Sequence, residues 1–234
     1  MYFGYFDSTV ILLIPAILFA MWAQTKVSST FNKYSRVGNL RGLTGEQAAR
    51  MILDNNGLTS VRIQRIHGNL TDNYDPRTNV VNLSDSTYGS TSIGAIGVAA
   101  HECGHAVQHA TGYTPIKIRN GIVPIVSACN KLSMPLIMLG FILTAFGGFA
   151  PIIIDIGILM YAATVLFQLV TLPVEFNASS RALKTLESFQ MLNQQEIEGA
   201  RKVLSAAAMT YVAAAFSAIM TLLRLVLISR NRRD

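Results

Sequence analysis

The chain has 234 residues, 51% of them hydrophobic and only 14% charged, with a mean hydropathy of +0.39. That is the composition of a membrane protein and excludes an ordinary soluble domain. A net charge of +6 would suit a nucleic-acid binder, but the basic residues flank apolar segments, so they read as orientation signals and no nucleic-acid partner is expected.

Residues 8–24 are almost wholly apolar, with Trp22 near the far end as an interfacial anchor. A signal peptide is the rival reading. Nothing basic precedes the run and no small-x-small site closes it, so residues 1–25 are read as a first transmembrane helix.

Residues 26–120 form the polar section. Thr44-Gly45-Glu46-Gln47 reads as a capping box opening an amphipathic helix through Asn55, which Gly57 ends. Val61 to Ile66 alternates as a strand, Asp75-Pro76-Arg77-Thr78 is a turn, and Val80 to Leu83 is a second strand. From Ser92 to Ala110 there is no Pro, and the only charged residue is Glu102. The spacing predicts a helix packed inside a domain.

That helix carries His101-Glu102-Cys103-Gly104-His105. Two histidines at i and i+4 leave the same face about one turn apart and can share one tetrahedral metal. Glu102, about 100° round the helix, can take a proton from a water at that metal without ligating it. The bland reading is a buried helix whose histidines only hydrogen-bond; two His and a Glu at this spacing argue against it. Cys103, beside a ligand, reads as a small buried filler rather than a donor, and two cysteines imply no disulfide framework. The small sheet before the helix offers an edge on which an extended peptide can pair.

Residues 121–172 hold two long apolar runs joined by a Gly-Gly-Phe-Ala-Pro connection, expected as a transmembrane helical hairpin with Asp155 just inside its second arm. Residues 173–205 are polar and helix-prone. Residues 206–234 form a final apolar helix and a basic tail. Lys26, Lys33, Arg36, Lys117, Arg119, Arg181 and Arg201 all fall on one face if every segment spans, which puts the metal helix on the cytoplasmic side. Arg230, Arg232 and Arg233 run against that scheme.

A catalytic zinc wants a third protein ligand and one open position. Gln108 and Thr111 stand where the elongated zincin motif needs Gly and His, so that class is excluded. His109 is at i+8 from His101, too far along a straight helix to close the site, and His67 is a minor possibility. Glu175, just past an apolar run in Leu172-Pro173-Val174-Glu175-Phe176-Asn177-Ala178-Ser179, is the better candidate. Pairing with Arg181 or Lys184 explains it equally well on spacing alone.

Beyond the single motif, Asn69 to Arg77, Val98 to Glu102, Thr171 to Ser179 and Ala206 to Ala213 resemble the bacterial neutral zinc metallopeptidases, small integral membrane proteins. H-E-x-x-H with a downstream Glu-Phe-x-Ala is also similar to the gluzincin membrane proteases, including the CAAX prenyl endopeptidases and their heat-shock relatives. The resemblance covers nearly the whole chain. It implies one Zn2+ per chain on His101, His105 and Glu175, with Glu102 as general base. The prenyl-protease type has Asp four residues after the Glu ligand to orient a His; here that position is Ser179, with Asn177 as a possible helper. Candidate oxyanion donors are Arg181, His109, His67 and Tyr211.

The expected fold is mainly α, with multi-pass membrane helices plus a small α+β zincin-like catalytic domain. The expected function is zinc-dependent hydrolysis of peptide bonds in membrane-associated or unfolded proteins beside the lipid bilayer. An intramembrane site-2 type protease would need an Asp ligand in a later apolar segment; Asp155 lacks the N-P-D-G or L-D-G setting of one. A non-catalytic zinc-binding scaffold would need no Glu102. A metal transporter should carry polar or ionisable residues within several membrane helices, and apart from Asp155 and Arg224 these segments are nearly bare.

Overall fold

The computed structural model describes residues 8–144 and 148–231. Gly147 of the expected connection, and Arg232 and Arg233 of the tail, lie outside the described residues. In chain order the elements are a 3-10 helix (Ser8–Leu12), α1 (Leu13–Tyr34), α2 (Gly45–Asn55), β1 (Arg62–Ile66), β2 (Asn73–Asp75), β3 (Val80–Ser84), α3 (Ile93–Ala110), α4 (Thr114–Leu143), α5 (Ala150–Ser188) and α6 (Gln194–Asn231). The protein is mainly α with one small sheet, as the composition and patterning predict.

Among the described residues, α1, α4, α5 and α6 are each long and apolar enough to cross a membrane. The chain divides into two units. The first holds the residues up to Trp22, Ile118–Leu172 and those from Tyr211. Large apolar side chains stay exposed along it, among them Ile125, Met138, Ile142, Leu159 and Leu166. Water is the wrong solvent for such a surface, and lipid is the right one. Within this unit α4 and α5 pack closely through glycines: a Cβ on Gly140 or Gly157 would press into Ile154 or Ile137.

The second unit holds Ala23–Lys117 and Pro173–Thr210. Its core joins Ile52 and Leu53 of α2, Val81 and Leu83 of β3, Ile96 and Ala100 of α3, Leu186 of α5 and Ile197 of α6. The α2 start is as expected: the Thr44 side chain accepts from the Gln47 amide while Gln47 reaches back to the Thr44 N–H, and Gly57 takes φ +71°. The sheet has the order β1-β3-β2, with β1 parallel and β2 antiparallel to β3.

Two features depart from the patterning. Strand β2 is Asn-Tyr-Asp, residues of mixed strand propensity with no alternating run, and it forms because Tyr74 pairs opposite Val81 across the turn. Both Asp75 carboxylate oxygens serve that turn, accepting from the Arg77 amide and the Thr78 hydroxyl, which holds the Asp75 carboxyl below its ordinary range. The long helices also ignore the polarity steps at 172/173 and 205/206. Helix α5 continues past Pro173 to Ser188, and α6 begins at Gln194 behind an Asn193–Glu196 capping box. A fall in hydropathy marks where lipid ends; only a cap or a backbone turn ends a helix.

Candidate metal centre

Helix α3 opens on Ser92, whose hydroxyl accepts from the Ala95 amide, and it is buried along most of its length. Helix α5 approaches it with a buried stripe repeating every four residues: Val174, Ala178, Ala182 and Leu186. The approach is close because Gly104, inside the H-E-x-x-H run, has no side chain. A Cβ there would lie 2.6 Å from the Ala178 carbonyl oxygen. Glu175 and Ser179, each one residue past a stripe position, are thereby carried up to the histidines.

His101 Nε2 lies 3.2 Å and His105 Nε2 3.6 Å from Glu175 Oε2, and the two imidazoles stand edge to face with centroids 4.8 Å apart. One ligand atom from each of the three residues falls within 4.8 Å of the others. Two imidazole nitrogens and one carboxylate oxygen, largely withdrawn from water, are a donor set suited to zinc. The outward-facing ring nitrogens are already engaged: His101 Nδ1 lies 3.1 Å from Ser179 Oγ, and His105 Nδ1 lies 3.0 Å from Gln108 Oε1. The Nε2 atoms are therefore the ones left to face a metal.

Glu102 is buried beside this group. Burial pushes its carboxyl up to about 7; the His101 ring and the Tyr74 backbone amide pull down, while the negative charges of Glu175 and Asp72 push up. Asp72 is itself locked in place, accepting from the Ser84 amide and hydroxyl and from the Thr87 hydroxyl. A carboxyl raised above its unfolded value binds a proton that the unfolded chain has released, so its stabilising effect is complete below about pH 4.5 and is lost as pH rises through 7. Metal-free protein is thus expected to lose thermal stability between pH 4.5 and 7 more steeply than its Glu102→Gln variant. Unfolding midpoints in detergent with chelator present check this; parallel slopes would refute it.

The other sequence candidates fall in different places. Ser179 holds the position of the prenyl-protease Asp and does reach His101. Asn177 reaches no histidine: its Oδ1 accepts from Gln108 Nε2 and from Arg181 Nε. Arg181 also lies over the Tyr113 ring, 5.9 Å from its centroid. His109 is exposed and faces Tyr74 of β2, their ring centroids 6.1 Å apart. His67 is fully exposed beside Asp85. Tyr211 and Asp155 belong to the apolar unit. Cys103 is buried with its Sγ 3.6 Å from the Ala49 carbonyl oxygen, and burial pushes its thiol up, so it fills space against α2. Sequence reasoning used Gln108 only to exclude a motif. Its spacing of three from His105 on one helix face was the available signal.

Two His and a Glu on a H-E-x-x-H helix, met by Glu175 from α5, in a chain with four apolar spans among the described residues, define a membrane protein of the zinc-peptidase class. The chain belongs to the family described as "Putative neutral zinc metallopeptidase", which it matches over residues 9–230. It is 46% identical over 225 residues to a Bacillus subtilis (strain 168) protein named "Putative membrane protease YugP", covering 96% of this chain and 98% of that one. No solved structure matches it.

Proposed function

We propose that this protein is a membrane-embedded zinc-dependent endopeptidase that cuts membrane-associated or unfolded proteins, with one Zn2+ held by His101, His105 and Glu175. The convergence of His101 Nε2, His105 Nε2 and Glu175 Oε2 beside buried Glu102 carries the reading.

When bound, zinc supplies Lewis acidity that polarises the scissile carbonyl and acidifies the attacking water. Glu102, the buried carboxylate beside the group, would take that water's proton and pass it to the leaving amine. Ser179 and Gln108 hold the two imidazoles by their far nitrogens. Strand β2 is a sheet edge whose Tyr74 amide reaches toward Glu102, so an extended peptide adding to that edge would bring its backbone to the base. Arg181 is drawn off to Asn177 and the Tyr113 ring, which favours a supporting duty for it over an oxyanion duty. His109, exposed beside Tyr74, remains the oxyanion donor to test. The basic residues between spans orient the site to the cytoplasm.

Glu175→Ala is the direct test of the ligand set. Detergent-purified wild type should carry close to one zinc per chain and cleave an unfolded protein such as casein. The variant should lose both, with at least about 10-fold weaker zinc binding by chelator competition. Zinc retained at wild-type affinity would remove Glu175 from the site. A wild type that holds zinc and cleaves nothing would instead favour the scaffold reading.

A further inference from the structure

Gln108 is fully buried, and each of its side-chain polar atoms has a partner. The direction of those hydrogen bonds can be worked out from groups that have only one role. A backbone carbonyl only accepts, and the Val174 carbonyl oxygen lies 2.8 Å from one Gln108 terminal atom, so that atom is the NH2. Arg181 only donates, and its Nε lies 2.8 Å from an Asn177 terminal atom, so that atom is Oδ1. Asn177 Oδ1 then accepts the second Gln108 proton, at 3.0 Å. The NH2 of Gln108 is spent on α5. What it turns toward His105 Nδ1, 3.0 Å away, is its oxygen, which must be met by an N–H.

We propose that Gln108 is a positioning residue that fixes His105 as the Nδ1–H tautomer, leaving its Nε2 lone pair aimed at the metal before any metal arrives. This rests on the zinc reading above. Arg181 sets the sense of the chain through Asn177, and Gln108 ties the ring to the Val174 carbonyl, one residue before Glu175. One amide thus orients one ligand and anchors the backbone next to another.

His101 is held differently. Its Nδ1 faces a serine hydroxyl, which can donate or accept, and its Nε2 lies 3.2 Å from the accepting Glu175 carboxylate, within hydrogen-bond reach, whereas His105 Nε2 stands off at 3.6 Å. The metal-free protein should therefore hold its two histidines in opposite tautomers: Nε2–H at His101 and Nδ1–H at His105. The free histidine side chain favours Nε2–H, so the unusual ring is the one beside Gln108.

The test is ring 15N spectroscopy of the metal-free full-length protein in detergent, at a pH where the imidazoles are neutral, paired with zinc titration of wild type and Gln108→Leu. The expected result is Nδ1–H at His105 in the wild type and loss of that preference in the variant. The variant should bind zinc about 10- to 100-fold more weakly. A wild-type His105 in the Nε2–H form overturns the proposal, as does a folded Gln108→Leu protein that binds zinc as tightly as the wild type. If Gln108→Leu does not fold, the wild-type tautomer still decides. A wild type that binds no zinc while showing Nδ1–H at His105 would sink the zinc reading and leave the orienting role of Gln108 standing.

Discussion

Glu102→Gln is expected to reduce cleavage of an unfolded protein by about 10^2- to 10^4-fold while bound zinc stays at the wild-type level. The amide has nearly the shape of the carboxylate, so the packing of α3 is kept. It cannot take a proton, so the water loses its base. All three proposed ligands are untouched, and this separates the change from Glu175→Ala, where metal and activity should fall together. Parallel measurements of zinc per chain and cleavage rate, on the same detergent preparation, give both readouts. Equal cleavage by wild type and variant would trace the activity to a contaminant or to another base. A variant that loses zinc as well would place Glu102 among the ligands.

Gly104→Ala should have a comparably large effect through packing alone. A Cβ at 2.6 Å from the Ala178 carbonyl oxygen is far inside contact distance; the Cβ is fixed to its Cα and the oxygen is backbone, so neither can swing aside. Helices α3 and α5 would have to part by most of an ångström. Such overpacking costs about 1–3 kcal/mol. It would also draw Glu175 and Ser179 away from the histidines, and a shift of about 1 Å at a reacting centre can cost on the order of 100-fold in rate. Loss of zinc affinity and of activity is therefore expected, with a lowered unfolding midpoint. Gly97→Ala on the same helix is the control: its Cβ would meet Ala200 Cβ at 3.4 Å, an ordinary contact, and near-normal zinc binding is expected. Zinc affinity and melting temperature for the pair decide the matter. Equal tolerance at both positions would mean that close α3–α5 approach does not build the site.

Much of this was legible without coordinates because it depends on short-range spacing. His101 and His105 share a helix face for the same reason that Thr44 and Gln47 cap α2: both patterns close within one helical turn. The four apolar spans follow from length and hydropathy, which need no partner to be recognised. Strand β2 was missed because three residues carry no period of their own and gain strand form only against β3. The reach of α5 and α6 past their apolar runs was missed because hydropathy reports the solvent and caps report the helix end.

By itself, then, the sequence determined the membrane class, the helix that carries H-E-x-x-H and the family, since each is written in local periodicity or in ordered motifs. Spacing alone left Glu175 balanced between ligand and ion-pair partner, and only the family resemblance favoured the ligand, because residues 74 apart have no relation until two helices meet. Only the tertiary structure decided that Glu175 faces both histidines, that Ser179 backs one ring and Gln108 the other, and that His109 turns away to Tyr74. The physical reason is the packing of α5 on α3 at Gly104: a long-range contact between two backbones, set by the absence of a side chain rather than by any feature one would mark along the chain.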